Sequence, residues 1–326
     1  MKKDETLTGA LDCVMLVEHK PLGEKGEDTY AFDHSRPDIH AIAVFDGCGG
    51  AGAWKYPEFS NASGAFVAAQ MTAGRFPEWF AGVRAEDCGR PEALAESFGT
   101  FIRNELRSIK GLCAPMGISG SMVKSFPCTA SIALTTRAEE DLVLLTALNV
   151  GDSRVYLLTE EYGLVQLTKD DTRGNPDALE NLRDNAPLSD MINADRDFRV
   201  KHRQVKLEMP CMVLCATDGM FGYLPTPMHF EYILLDSLMK SSTPIEMENL
   251  FKEAIVKVTG DDSTCLMALY GWGTFDTFRH GMRRRYDTVK GYIDRIEAAP
   301  PQGREEVIRQ IWSKYRTGTI FDEMQV

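Results

Sequence analysis

Seven short apolar runs most constrain how this chain can fold: Ile39–Phe45, Thr129–Thr136, Leu142–Val150, Arg154–Thr159, Leu164–Thr168, Met212–Thr217 and Thr264–Tyr270. They are rich in Val, Ile, Leu and Thr and have the length of strands. Several are joined by short polar turns, which favours antiparallel pairing. Helical patterns fall between some of them without a regular βαβ alternation. The clearest sets Leu94, Phe98, Phe101, Ile102, Leu106 and Ile109 on one face, a stripe suited to covering a sheet. Thr243-Pro244-Ile245-Glu246 starts a second helix, combining a capping box with proline at the first helical position. The expected class is α+β, with helices covering antiparallel sheets.

No repeat, low-complexity tract or long linker divides residues 1–272, which read as one domain, and the break falls at Gly271-Trp272-Gly273. Residues 273–326 read as a C-terminal helical extension. Phe275, Phe278, Met282, Tyr286, Val289, Ile293 and Ile296 repeat at helical spacing, Pro300-Pro301 ends the pattern, and Val307, Ile308, Ile311, Trp312 and Tyr315 form a second, shorter one. Such a stripe either packs on the protein's own body or serves as a docking surface for a protein partner or a second copy. Arg283-Arg284-Arg285 reads as a solvated face.

Charge narrows the function. Lys and Arg total 36 against 48 Asp and Glu, a net charge of −12, which repels phosphate backbones and argues against nucleic acid as a partner. Nowhere do about 18 apolar residues run together to span a membrane. The opening Met1–Thr6 lacks the apolar stretch of a leader, so a cytoplasmic location is expected. The eight cysteines show no zinc spacing and no small disulfide framework; Cys211 and Cys215, in an apolar run, read as small buried hydrophobes. Gly117-Ile118-Ser119-Gly120-Ser121 lacks the final glycine of a nucleophile elbow and reads as a loop.

Two of the apolar runs end abruptly in Asp-Gly: Ala41–Phe45 before Asp46-Gly47, and Met212–Thr217 before Asp218-Gly219. Asp-Gly is a common hairpin turn, but neither pair is followed at once by an alternating return strand. A carboxylate at the end of a core strand is partly desolvated and needs a partner. Glu27-Asp28 precedes Thr29–Phe32, Asp261-Asp262 precedes Ser263–Tyr270, and Gly151-Asp152 lies between two strands, where a hairpin also explains it. If these ends meet, they make an oxygen-only cluster suited to hard cations such as Mg²⁺ or Mn²⁺ and unsuited to zinc. Two such ions about 3.5–4 Å apart clamp a phosphoryl group and activate water. That chemistry is hydrolytic.

In this order the motifs resemble the metal-dependent protein phosphatase family of type 2C: Gly26-Glu27-Asp28, Val44-Phe45-Asp46-Gly47-Cys48-Gly49-Gly50, Asn149-Val150-Gly151-Asp152-Ser153-Arg154, Ala216-Thr217-Asp218-Gly219 and Gly260-Asp261-Asp262-Ser263-Thr264. The resemblance implies a sandwich of two antiparallel β-sheets flanked by helices, four layers in α-β-β-α order, with a metal pair at one edge. It implies that Asp46 bridges two Mn²⁺ or Mg²⁺ ions and that Asp218 and Asp261 complete one site. The Gly47 carbonyl, with Glu27 acting through water, forms the other. Asp28 would support that shell, and Asp152 with Asp218 could hold a third ion. The implied reaction is hydrolysis of phosphoserine or phosphothreonine in a protein substrate by a hydroxide bridging the two ions, with Asp46 and Asp218 carrying the catalysis.

Three departures stand out. Where the family commonly carries a phosphate-gripping Arg, this chain has Gly23, with Lys20 and Lys25 nearby; Cys48 replaces a His found in some members; and Asp171 replaces the usual His of Leu-Thr-x-Asp-His. The missing Arg and the flap at Thr172–Met209, shorter and more charged than is typical, motivate the alternative of a catalytically weak or inactive pseudophosphatase that binds partners through its C-terminal helices.

Overall fold

The computed structural model describes residues 10–114, 123–139, 141–174, 177–184 and 186–317. Met1–Thr6 and Gly117–Ser121 lie outside the described residues. Two five-stranded antiparallel sheets pack face to face. One has the order β1 (Leu11–His19), β12 (Ser263–Tyr270), β11 (Cys211–Ala216), β8 (Arg154–Thr159), β9 (Gly163–Gln166). The other runs β10 (Lys201–Glu208), β7 (Leu142–Val150), β6 (Cys128–Glu139), β3 (Ile39–Gly47), β2 (Thr29–Asp33). A two-stranded ribbon of β4 (Lys55–Tyr56) and β5 (Ala62–Ser63) leads into α1 (Gly64–Ala81), and α2 (Pro91–Leu112) follows. The remaining helices are α3 (Ala178–Asp184), α4 (Pro227–Lys240), α5 (Pro244–Val256), α6 (Phe275–Gly281), α7 (Arg283–Ala298) and α8 (Arg304–Thr317).

The central strands are buried on both faces, which is why they read as continuous apolar runs. In β3, Ile39, Ala41, Ala43 and Phe45 face α1 and α2, while Ile42 and Val44 enter the core between the sheets. In β11, Met212, Leu214 and Ala216 face α4 and α5, while Cys211, Val213 and Cys215 point into the inter-sheet core as small hydrophobes. The order of layers is therefore α-β-β-α. No described helix is long and apolar enough to cross a membrane.

The structure departs from the sequence reading in several elements. β1 and β10 are edge strands whose charged residues mask their pattern: in β10 only Val205 and Leu207 are buried. The stripe after Trp272 is not one helix but two, broken at Met282. The Trp272 ring lies where a Cβ on Gly281 would sit, 2.4 Å from its nearest atom, so the chain turns there around a buried indole. Phe278, Met282 and Val289 join the core over α4 and α5, and Ile293, Ile296, Ile308, Ile311 and Tyr315 form a satellite cluster with Leu179 and Met228. The apolar stripe thus packs on the protein's own body.

Arg285 also corrects the reading of its basic run as solvated. Glu231 of α4 is fully buried and accepts from Arg285 Nε at 2.7 Å, Arg285 Nη2 at 2.8 Å and the Leu164 amide at 3.1 Å, as well as from the Tyr315 hydroxyl. One carboxylate thereby ties α4, α7, α8 and β9 together. Removing one partner of a buried pair leaves an uncompensated charge. Arg285→Ala is expected to cost about 3–5 kcal/mol of stability, measured by urea unfolding, whereas Arg284→Ala on the exposed face changes little.

Candidate metal centre

Antiparallel register brings five chain segments to one end of the sandwich. Phe45 pairs with Thr29 and Asp46 with Thr129, so the Glu27-Asp28 segment reaches the end of β3. Ala216 pairs with Cys265, and the Thr217 amide donates to the Thr264 carbonyl at 3.0 Å, which sets Asp218 beside Asp261-Asp262. The fifth segment is the Gly151-Asp152 turn. It is not a hairpin, because β7 and β8 belong to different sheets. Gly151 has φ +88°, and a Cβ there would lie 2.5 Å from Thr129 Cγ2, so only glycine makes this crossing without strain.

Asp46, Asp152 and Asp218 each offer a carboxylate oxygen within 4.8 Å of the others. Among the described residues, no Lys or Arg forms an ion pair with any of the three. Asp28 is buried beside them, accepting from Thr217 Oγ1 at 2.7 Å and sharing a hydrogen bond with Asp46. Burial first, then the charges of Asp28, Asp218 and Asp152, push the Asp46 carboxyl well above the usual carboxylate range. Burial pushes Asp28 up to about 7, with the charges of Asp218 and Asp262 acting in the same direction. Asp152 and Asp218 are likewise raised, by burial and then by Asp218 and Asp261 respectively.

The other expected residues stand around this group. Glu27 is half-buried; its carboxylate accepts from the Ser63 hydroxyl, and its amide donates to Asp262 Oδ2 at 2.5 Å. Asp261 is exposed and lies outside the three-carboxylate group, accepting from the Tyr223 hydroxyl at 3.3 Å. Gly47 is buried at the end of β3 opposite Cys128. Burial and the Asp46 charge push the Cys48 thiol well up, so it keeps its proton. Lys20 is paired with Glu18 at 2.9 Å.

Four supporting roles, three of them of residues already named in the motifs, escaped the sequence reading. Arg154 is buried in a pair with Asp170 at 2.6 Å, its guanidinium 4.0 Å from the Phe221 ring centroid, and its charge still acts to lower the carboxyls of Asp152 and Asp218 against the larger effect of burial. Asp171 accepts from the Gly151 amide at 3.0 Å and pairs with Lys201 at 2.6 Å, holding the turn that carries Asp152. Thr217 and Ser63 fix Asp28 and Glu27. Only Ser63 had a local signal, as a serine before the apolar sequence Gly64-Ala65-Phe66-Val67. The centre has oxygen donors, several like charges and no positive side chain among them, which fits hard divalent cations.

A sequence profile for protein phosphatase 2C matches residues 17–255. The chain belongs to the protein phosphatase 2C family. By family it is a serine/threonine protein phosphatase. Its fold is shared by solved bacterial phosphatases. The Staphylococcus aureus serine/threonine phosphatase Stp1 superposes with a TM-score of 0.59 at 16% identity, covering 82% of this chain and 98% of that one. The Streptococcus agalactiae (S. agalactiae) serine/threonine phosphatase gives 0.55 at 12% identity over 78% and 98%, and the Mycobacterium tuberculosis phosphatase PstP/Ppp 0.52 at 16% over 80% and 98%. At these identities the likeness is one of fold. No curated protein sequence matches the chain significantly.

The raised carboxyls give this phosphatase a pH signature. Without metal, the folded protein holds protons that unfolded carboxyls, near 3.8, have released; the stability this contributes is full below about pH 4 and is lost as the pH rises to about 7. Cations compete with protons for the same oxygens. The rise in Tm produced by Mn²⁺ over EDTA is therefore expected to be small at about pH 5 and larger at about pH 8. A shift equal at both values contradicts the assignment.

Proposed function

We propose that this phosphatase hydrolyses phosphoserine and phosphothreonine in protein substrates at the Asp46, Asp152 and Asp218 centre, using Mn²⁺ or Mg²⁺. The observation that supports it is three carboxylates within 4.8 Å of one another with no ion-paired Lys or Arg among the described residues, an arrangement that strongly favours added positive charge. In this reading Asp46, Asp218 and Asp261 would hold one ion, and Asp46, the Gly47 carbonyl and Glu27 the other. Asp28 would support the second, and Asp152 with Asp218 would hold a third. When bound, such ions supply an activated water and neutralise charge on the phosphoryl oxygens.

The chain's own residues prepare the site in three ways. Thr217 and Asp28 orient Asp46 through their hydrogen bonds. Asp170 holds the Arg154 guanidinium in an ion pair, so Arg154 acts on Asp152 and Asp218 only through space. Asp171 and Lys201 hold the Gly151 turn, so Asp152 faces the other two strand ends. A partner or second copy using the C-terminal helices would have to engage their polar faces, since the apolar stripe is buried against α4. The pseudophosphatase alternative, motivated by the missing Arg at Gly23 and by the departures around Asp171, would have to bind its partner through those polar faces.

Phosphate release from a phosphothreonine peptide tests the reading. The wild type is expected to need Mn²⁺ or Mg²⁺ and to be silenced by EDTA. Asp46→Asn and Asp218→Asn should each lower turnover by more than about 100-fold, beyond what a supporting residue costs, with circular dichroism unchanged. A wild type that releases no phosphate with either cation, or an Asp46→Asn variant that keeps its activity, refutes it.

A further inference from the structure

Glu27 is held by two separate parts of the chain. Its amide donates to Asp262 Oδ2 at 2.5 Å, tying it to the turn before β12. Its carboxylate accepts from Ser63 Oγ. Ser63 is itself fixed twice: in β5 it pairs with Lys55 of β4, and it is the N-cap of α1, its Oγ accepting from the Phe66 amide at 3.1 Å. A hydroxyl has one proton and two lone pairs. With a lone pair taken by the Phe66 N–H, the proton is directed to Glu27. The carboxylate is thereby coupled to the start of an 18-residue helix that has no acidic residue in its first turn, where the helix dipole favours a negative charge.

We propose that Ser63 is a positioning residue of the metal centre: its hydroxyl, locked by the α1 cap and the β4–β5 ribbon, fixes the Glu27 carboxylate in the orientation that a divalent cation requires. The proposal rests on the metal-dependent reading above. It extends that reading to a residue outside the acidic motifs, and it gives the short β4–β5 ribbon a purpose. The ribbon forces Ser63 to serve helix and carboxylate together, so the geometry of Glu27 is set by α1, an element of the opposite layer from the Asp218 strand.

A simple helix cap is the competing explanation, and the choice of variant separates the two. Glycine caps a helix nearly as well as serine but has no hydroxyl, whereas threonine keeps both functions. The measurement is calorimetric titration of the full chain with Mn²⁺, with the Tm in EDTA recorded alongside. Ser63→Gly is expected to weaken Mn²⁺ binding about tenfold while the EDTA Tm changes little, and Ser63→Thr to restore it. Glu27→Gln should show a similar loss, and the double variant no further loss, because both changes remove one interaction. If Ser63→Gly binds Mn²⁺ like the wild type while Glu27→Gln is weakened, Ser63 is only a cap and the proposal fails. If neither Glu27→Gln nor Asp46→Asn alters Mn²⁺ binding, the metal reading falls and this proposal falls with it.

Discussion

Repulsion among carboxylates gathered at one end of the sandwich is the constraint on which the rest of the molecule turns. Asp46, Asp152 and Asp218 come within 4.8 Å of each other, and buried Asp28 joins them through Asp46. Four acidic groups in so small a space do not all ionise unaided. The protein holds them there because each terminates, or lies beside, a strand whose register is fixed by a large apolar core. The free energy of packing two sheets and their helices is spent partly on keeping like charges together.

The supporting layer around the cluster follows from that need. Arg154, a buried cation whose charge reaches Asp152 and Asp218, is matched by Asp170 and lies over Phe221. Lys201 is committed to Asp171. Both cations are thus paired with other carboxylates, and among the described residues none of the three central acids has an ion-paired Lys or Arg. On the outer side, Glu231 binds Arg285, Tyr315 and the backbone of β9. The C-terminal helices are thus tied to α4, which follows Asp218, and to β9, which leads to Asp170 and Asp171. Scaffold and centre are linked along the chain.

Legibility in the sequence tracked how local each signal was. β3 and β11 could be read because doubly buried strands are continuous apolar runs, and their abrupt Asp-Gly ends marked Asp46 and Asp218 directly. Gly151-Asp152 could not be resolved locally: a glycine turn between two strands looks alike whether the chain folds back in one sheet or crosses to the other, and only long-range pairing decides. β1 and β10 were missed because edge strands carry charge where central strands do not. Arg285 looked solvated because its partner, Glu231, lies 54 residues earlier in the chain. Asp261, grouped with the others by its motif, stands outside the three-carboxylate group and faces Tyr223. Ser63 depended on a helix start that carries no capping box.

The most direct test is a crystal soaked in Mn²⁺ and examined by anomalous scattering. The account predicts two strong peaks at the strand ends, both within coordination distance of Asp46, one on the Asp218 side and one on the Glu27 side. A map with no peak at Asp46, or with Mn²⁺ bound only elsewhere on the acidic surface, would contradict it.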